Sequence, residues 1–170
     1  MNVIFVIGSS RKGGNTRKLI DKLNEGENSE IVELIDLNIS YYDYQNRNLN
    51  DDFFPVIEKI LRADTLVFAS PVYWYSASAV LKTFIDRFSD LVTIRKDIGR
   101  KLAGKKIFVL SCGASSKIPD SFDIPFKGLA AYMKMEFGGY THGWIPKDGI
   151  INPELMGELN TFAKKIFFKD

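Results

Sequence analysis

The 170-residue chain contains a single cysteine and a single histidine. A lone thiol excludes an internal disulfide and any metal cluster built on cysteines. Long apolar runs are missing too. The first, Val3 to Ile7, is short and has no charged lead-in. Neither a membrane span nor an export segment is therefore expected. A reducing, cytoplasmic location follows, with no membrane partner. Charge of one sign is scarce as well: 23 Lys and Arg face 21 Asp and Glu, for a net +2. Basic residues look scattered along the chain, so no nucleic-acid partner is expected.

What is present is an ordinary globular balance, 45% hydrophobic and 26% charged. That length fits one domain over 1–170, able to bury about 70% of its unfolded surface. Val3–Ile7 is an unbroken, β-branched run that reads as a buried parallel strand. Leu19, Ile20 and Leu23 then recur at helical spacing, and Gly26 marks a stop. Ile31–Leu37 is a second predicted strand, followed by a polar, tyrosine-rich stretch, Tyr41–Asn48. This stretch suits either a substrate lid or a linker. Asp51 or Asp52 can cap a helix bearing Phe54, Ile57, Ile60 and Leu61.

Thr65–Ala69 is predicted as the third strand, ending at Ser70-Pro71. A helix follows over 77–88, with Val80, Leu81, Phe84, Ile85 and Phe88 on one face. Lys106–Ser111 is the fourth strand and leads into Cys112-Gly113-Ala114. A helix over 122–133, a fifth strand at Met135–Tyr140 weakened by Gly138-Gly139, and a helix from Pro153 to Phe167 complete the series. Alternating strands and helices predict an α/β fold with a parallel sheet covered on both faces.

Such folds bind ligands beyond the carboxyl ends of their strands. The first strand runs into Gly8-Ser9-Ser10-Arg11-Lys12-Gly13-Gly14-Asn15-Thr16 and then a helix, a ready anion site. Backbone N–H groups and partial positive charge meet the hydroxyls of Ser9, Ser10 and Thr16, with Arg11 and Lys12 beside them. Three nucleotide readings fail. A P-loop needs Lys-Ser/Thr where Gly14-Asn15 stands. A dinucleotide fingerprint needs glycine where Ser10 stands. A receiver domain needs a strand-end aspartate, which is absent. A mononucleotide remains, and the terminal phosphate of flavin mononucleotide suits hydroxyl donors without a metal.

GSSRKGGNT, followed by SPVYWYSASAVLKTFIDR after the third strand, resembles the NAD(P)H-dependent FMN reductase-like family of the flavodoxin superfamily. The resemblance extends from Met1 to about Trp144. It implies a flavodoxin-like three-layer α/β/α sandwich with a five-stranded parallel sheet in order 2-1-3-4-5. It also implies bound FMN, NADPH or NADH as reductant, a homodimer, and a small acceptor such as a quinone, a nitro- or azo-aromatic, or free flavin. By the same resemblance Ser9, Arg11, Asn15 and Thr16 hold the phosphate. Pro71, Val72, Tyr73 and Trp74 run beside the flavin ring, and Cys112, Gly113 and Ala114 line its other edge. Iron–sulfur flavoproteins, a neighbouring branch, carry cysteines where this chain has Tyr41-Tyr42-Asp43-Tyr44, so no metal site is expected.

No catalytic side chain is assigned, because the cofactor carries the chemistry. Lys82, Asp86 and Arg87 are read as ion pairs or interface residues, and Cys112 as a buried thiol. His142 lies at the functional edge of the sheet, where a histidine can face substrate or serve the structure; we take the structural role. The rival to an enzyme is a flavodoxin-type electron carrier. Such carriers are strongly acidic, which the balance of charge here disfavours.

Overall fold

The computed structural model describes residues 2–117, 120–147 and 149–168. In chain order the elements are β1 (Val3–Ile7), α1 (Asn15–Leu23), β2 (Glu30–Glu33), α2 (Phe53–Arg62), β3 (Thr65–Tyr73), β4 (Ser76–Ala77) and α3 (Ala79–Asp86). Then come α4 (Phe88–Thr93), α5 (Lys96–Gly99), β5 (Lys106–Gly113), α6 (Ile124–Tyr132), β6 (Glu136–Trp144) and α7 (Pro153–Phe167). The long strands form a parallel sheet in the order β2-β1-β3-β5-β6. Counting long strands only, this is the expected order 2-1-3-4-5. The two-residue β4, antiparallel to β3, is an addition.

Strand residues alternate between two apolar layers because successive side chains point to opposite faces. Ile4, Val6, Leu66, Phe68, Ile107 and Val109 face α2, α3, α4 and α6, where Phe84 and Phe88 pack against both Phe68 and Phe53. Phe5, Ile7, Val67, Ala69, Phe108 and Leu110 face α1 and α7 instead. Burial on both faces explains why β1 reads as an unbroken apolar run rather than an alternating one.

Several boundaries differ from the sequence reading; β5, for one, runs on to Gly113, and the larger differences lie in β2, β3, the 77–88 helix and β6. β2 stops at Glu33 and a 3-10 turn, Leu34–Asp36, follows. Its partner β1 ends at Ile7, opposite Glu33, and offers nothing further to pair with. β3 does not end at Ser70-Pro71 but continues to Tyr73. Gly8 N–H donates to Ala69 C=O (2.8 Å), so odd-numbered β3 residues address β1. The N–H that Pro71 lacks would point where β1 has already ended, so proline costs no bond there. The expected helix over 77–88 divides at Arg87 into α3 and α4.

β6 passes through Gly138-Gly139 and reaches Trp144 rather than stopping at Tyr140. A register shift between Ile107 and Phe108 absorbs one extra β6 residue as a bulge. The ring of Phe108 covers the bulge so closely that a Cβ on Gly138 would lie 2.3 Å from it. The ring supplies the packing a side chain there would otherwise give.

Between β2 and α2 the chain crosses 38–52 without regular structure, tied internally by Asp43, Asp51 and Asp52 and clamped from the end of α3 by Arg87. Arg87 is 1% exposed and its guanidinium donates to Asp90 (2.6 Å), to Ser40 C=O and Asn48 C=O (3.1 Å each), and to Asp51. It also lies 4.7 Å from the Phe53 ring centre. Burial pulls its pKa down, but the bonds to Asp51 and Asp90 outweigh this and hold it charged. Lys82 and Asp86 form an exposed i,i+4 pair (2.5 Å).

Candidate functional site

Beyond the carboxyl ends of the strands lies a cavity of about 760 Å3, within the range of cofactor sites, roughly 300–1,000 Å3. Its first wall is the turn from β1 to α1. Ser9 is buried, and its hydroxyl both accepts from Arg11 N–H (3.2 Å) and donates to Arg11 C=O (3.0 Å). That bonding shapes the loop. Gly13 takes a φ of +62°, and Gly14 stands at the helix N-cap, where no side chain caps α1 and no acid occupies its first turn. The helix start therefore keeps free N–H donors and uncompensated positive charge toward an anion. Ser10, Arg11, Asn15 and Thr16 line the cavity with these donors.

Lys12 does not join them. It pairs with Asp36 (2.5 Å) in the turn after β2, so the expected second cation is directed elsewhere. A different cation, Lys147, lines the cavity, and no carboxylate does so among the described residues.

The loop is anchored from behind. Ser78 donates its hydroxyl to Gly8 C=O and accepts from Leu81 N–H (3.1 Å), capping α3. Its own N–H reaches the Ser70 hydroxyl (2.9 Å). Neither serine was singled out from sequence, because both act through contacts remote along the chain. Gly8 abuts α3 so tightly that a Cβ would lie 2.3 Å from Leu81 Cβ.

The second wall comes from Pro71, Val72 and Tyr73. The Tyr73 hydroxyl lies 3.3 Å from that of Ser10, joining this wall to the first. Trp74, named with them from the sequence, does not line the cavity. It is 93% exposed at the tip of the β3–β4 hairpin. Trp74 and Tyr75 take φ of 48° and 65°, the pattern of a type I′ turn, where Asn-Gly is the usual pair. Two aromatic residues in that conformation gave no local signal of a hairpin.

Cys112, Gly113 and Ala114 form the third wall, and Trp144, Ile145, Pro146 and Lys147 the fourth. The fourth was missed because β6 was expected to end four residues early. The signal available was the aromatic Trp144 at the carboxyl edge of the last strand.

Cys112 is buried, which pushes its thiol up from an ordinary value near 9 to about 11, while a hydrogen bond with Thr16 pulls the other way. Around neutral pH that leaves about a hundredth of the usual thiolate. Alkylation of the folded protein by iodoacetamide is expected to be slower than that of a free thiol by about that factor; alkylation at the free-thiol rate would contradict the burial. Because the folded value is raised, the stability this thiol adds is full below about pH 9 and falls away as pH rises toward 11.

His142 sits behind the third wall. Its Nε2 faces Ser115 C=O (2.9 Å) and must carry a proton, so in the neutral ring Nδ1 accepts from the Ser111 hydroxyl (2.7 Å). Tyr140 OH then donates to Ser111 (3.1 Å). Burial raises the Tyr140 phenol to about 12, so it remains a donor. The imidazole lies against Gly113, where a Cβ would come within 2.9 Å of its Cε1. It braces the loop and does not line the cavity.

A doubly wound sheet with an uncapped helix start opening on a cavity at its switch point has the flavodoxin-like fold. Residues 1–135 match the family model described as NADPH-dependent FMN reductase, and the chain belongs to that family. It is an oxidoreductase whose cofactor is FMN and whose reductant is NAD(P)H. The chain is 31% identical over 155 residues to YwqN of Bacillus subtilis, provisionally named an NAD(P)H-dependent FMN-containing oxidoreductase, with 84% of each chain covered. A 108-residue stretch is 31% identical to mouse ribosyldihydronicotinamide dehydrogenase [quinone], covering 63% of this chain and 37% of that one. Among solved structures it is similar to the Trp repressor binding protein from Bacillus subtilis, with a TM-score of 0.78, 27% identity, and 99% and 100% of the two chains covered.

Proposed function

We propose that this protein holds FMN in the cavity at the carboxyl edge of the sheet and passes electrons from NADPH or NADH to a small acceptor, a quinone in the first instance. The observation that carries the reading is the uncapped start of α1, opening on a cavity lined by Arg11 and Lys147 and by no carboxylate among the described residues. A dianionic phosphate suits that charge and donor set.

FMN, when bound, supplies the two-electron chemistry. In this proposal Ser10, Asn15 and the N–H groups at the start of α1 bind the phosphate, Arg11 neutralises it, and Ser9 holds the loop in shape. Thr16, bonded to Cys112, ties the phosphate loop to the third wall. Pro71, Val72 and Tyr73 on one side and Cys112, Gly113 and Ala114 on the other bound the flavin ring and keep water from it. Trp74 stands outside this wall, so we assign it to the cavity mouth. Exposed Trp74 and Tyr75 beside the cavity support a homodimer whose second copy covers that mouth. A cytoplasmic location is part of the same reading; among the described residues no helix is long and apolar enough to cross a membrane.

The mouse relative's name supports quinones over the other acceptors, nitro- and azo-aromatics and free flavin. In the alternative reading the protein is a flavodoxin-type carrier that relays single electrons. One experiment separates them: record the flavin spectrum of the purified protein, then add NADPH or NADH with and without a quinone. Rapid bleaching, followed by quinone-dependent turnover, is expected. Absence of flavin binding at micromolar FMN would remove the proposal, and a stable one-electron form without turnover would favour the carrier.

A further inference from the structure

The near-neutral charge of the whole chain conceals a local excess. Residues 95–106 hold six basic side chains and one acidic one, Asp97, in a chain whose net charge is +2. Several of the six are spoken for. Arg95 pairs with Asp97 (3.1 Å), Lys106 with Glu136 (3.5 Å), and Lys105 donates to Leu61 C=O (2.9 Å) and to Ala63 C=O at the end of α2. Lys96 and Arg100 are exposed and have no ion pair among the described residues.

Both line a groove of about 440 Å3 at the amino end of the sheet, across the molecule from the FMN cavity. Its apolar surface comes from Leu91 and Val92 of α4 and from Tyr132 and Met133 at the end of α6. A third cation, Lys134, completes the rim, and no carboxylate among the described residues lines the groove.

Lys134 carries the second observation. α6 ends in a Schellman motif: Met135 N–H reaches Ala130 C=O (2.8 Å) and Lys134 N–H reaches Ala131 C=O (3.3 Å). That motif puts Lys134 at a φ of +57°, where glycine is the usual residue. A lysine held in an unfavourable backbone conformation, unpaired among the described residues and on the rim of an apolar groove, points to a use for its charge.

We propose that this groove is a ligand site for a small amphipathic carboxylate. The apolar body lies on Leu91, Val92, Tyr132 and Met133, and the carboxylate lies among Lys96, Arg100 and Lys134. Size and charge both favour a soluble molecule of this kind: the groove is within the volume range of small-molecule sites, and its three cations have no ion pair among the described residues.

Decanoate is the probe, titrated by calorimetry into the full-length protein saturated with FMN, with decanol as the uncharged comparator. Saturable decanoate binding is expected, weakening as salt rises, together with decanol binding at least tenfold weaker. The Lys96→Ser/Arg100→Ser double variant should lose about tenfold in decanoate affinity and leave FMN binding unchanged. Lys134→Gly should move two quantities in opposite directions, raising the melting temperature while weakening decanoate binding about fivefold. Unaltered affinity in both variants, equal binding of decanol, or displacement of FMN by decanoate would each overturn the assignment. So would sedimentation with anionic vesicles in the absence of saturable decanoate binding, which would make the surface a membrane contact. The outcome is independent of turnover, since the groove and the FMN cavity share no residue.

Discussion

Arg87→Met is expected to destabilise the fold by about 3–5 kcal/mol, the cost typical of removing one partner from a buried ion pair. Methionine keeps much of the aliphatic volume but removes the donors to Asp51, Asp90, Ser40 C=O and Asn48 C=O. Two carboxylates would then be buried without a counter-charge, since Asp51 and Asp90 side chains are only 5% and 3% exposed. In urea, with a slope of about 2 kcal/mol per molar, the midpoint should fall by roughly 1.5–2.5 M. Because Arg87 also clamps the crossing over 38–52 at Ser40 and Asn48, limited proteolysis should begin to cut there in the variant. Replacing Arg87, Asp51 and Asp90 together with apolar residues of similar size should recover most of the loss. A single-variant loss below about 1 kcal/mol would mean that the pairs behave as exposed ones do.

Gly8→Ala should weaken FMN binding by about a hundredfold while leaving a folded protein. An added Cβ would meet Leu81 Cβ at 2.3 Å and the Leu81 backbone at 2.8 and 2.9 Å, so a side-chain rotation cannot relieve the clash. Either β1 or α3 must shift, and with it the Ser78 bond to Gly8 C=O that sets the height of the loop. Displacing the loop is expected to forfeit about one charge-assisted hydrogen bond of the proposed phosphate site, worth about 1.5–3 kcal/mol. Stability should fall by about 1–3 kcal/mol from overpacking. Gly13→Ala is the control: Gly13 also sits in the loop, at φ +62°, but a Cβ there meets nothing within 4 Å. Its cost is backbone strain of about 1 kcal/mol, with FMN affinity within a few-fold of the parent. Flavin-fluorescence titration reads both variants. Equal affinities in the two would show that contact with α3 does not set the loop.

Much of the architecture is encoded locally, and much of the cavity is not. The run Val3 to Ile7 is apolar at every position because both faces of β1 are covered, and that property is visible without a fold. The start of α1 is equally local, since Gly8–Thr16 lies between a strand and a helix that each declare themselves. Ser9, Ser10, Arg11, Asn15 and Thr16 are therefore legible as one local loop, and the structure brings them to one cavity with Pro71–Tyr73 and Cys112–Ala114.

The errors have a common origin in partners distant along the chain. Lys12 looks like a phosphate cation until Asp36 is seen beside it. Trp74 belongs to a recognisable motif, but a hairpin turn carries it out to solvent. Lys147 and Trp144 enter the cavity only because the Phe108 ring lets β6 run through two glycines. Arg87 reads as an ion pair or an interface residue; it is an ion pair, but its partners Asp51 and Asp90 meet it inside the protein, where it is among the largest fully buried side chains.

By itself, then, the sequence determined the alternation of strands and helices, the parallel sheet and the anion loop, because apolar periodicity and turn chemistry act over a few residues. Tertiary structure decided where β2, β3 and β6 stop, which cations face the cavity, and what the buried guanidinium holds. Strand ends are set by whether the neighbouring strand still offers a partner, and a charge is free or spent according to what the fold packs against it.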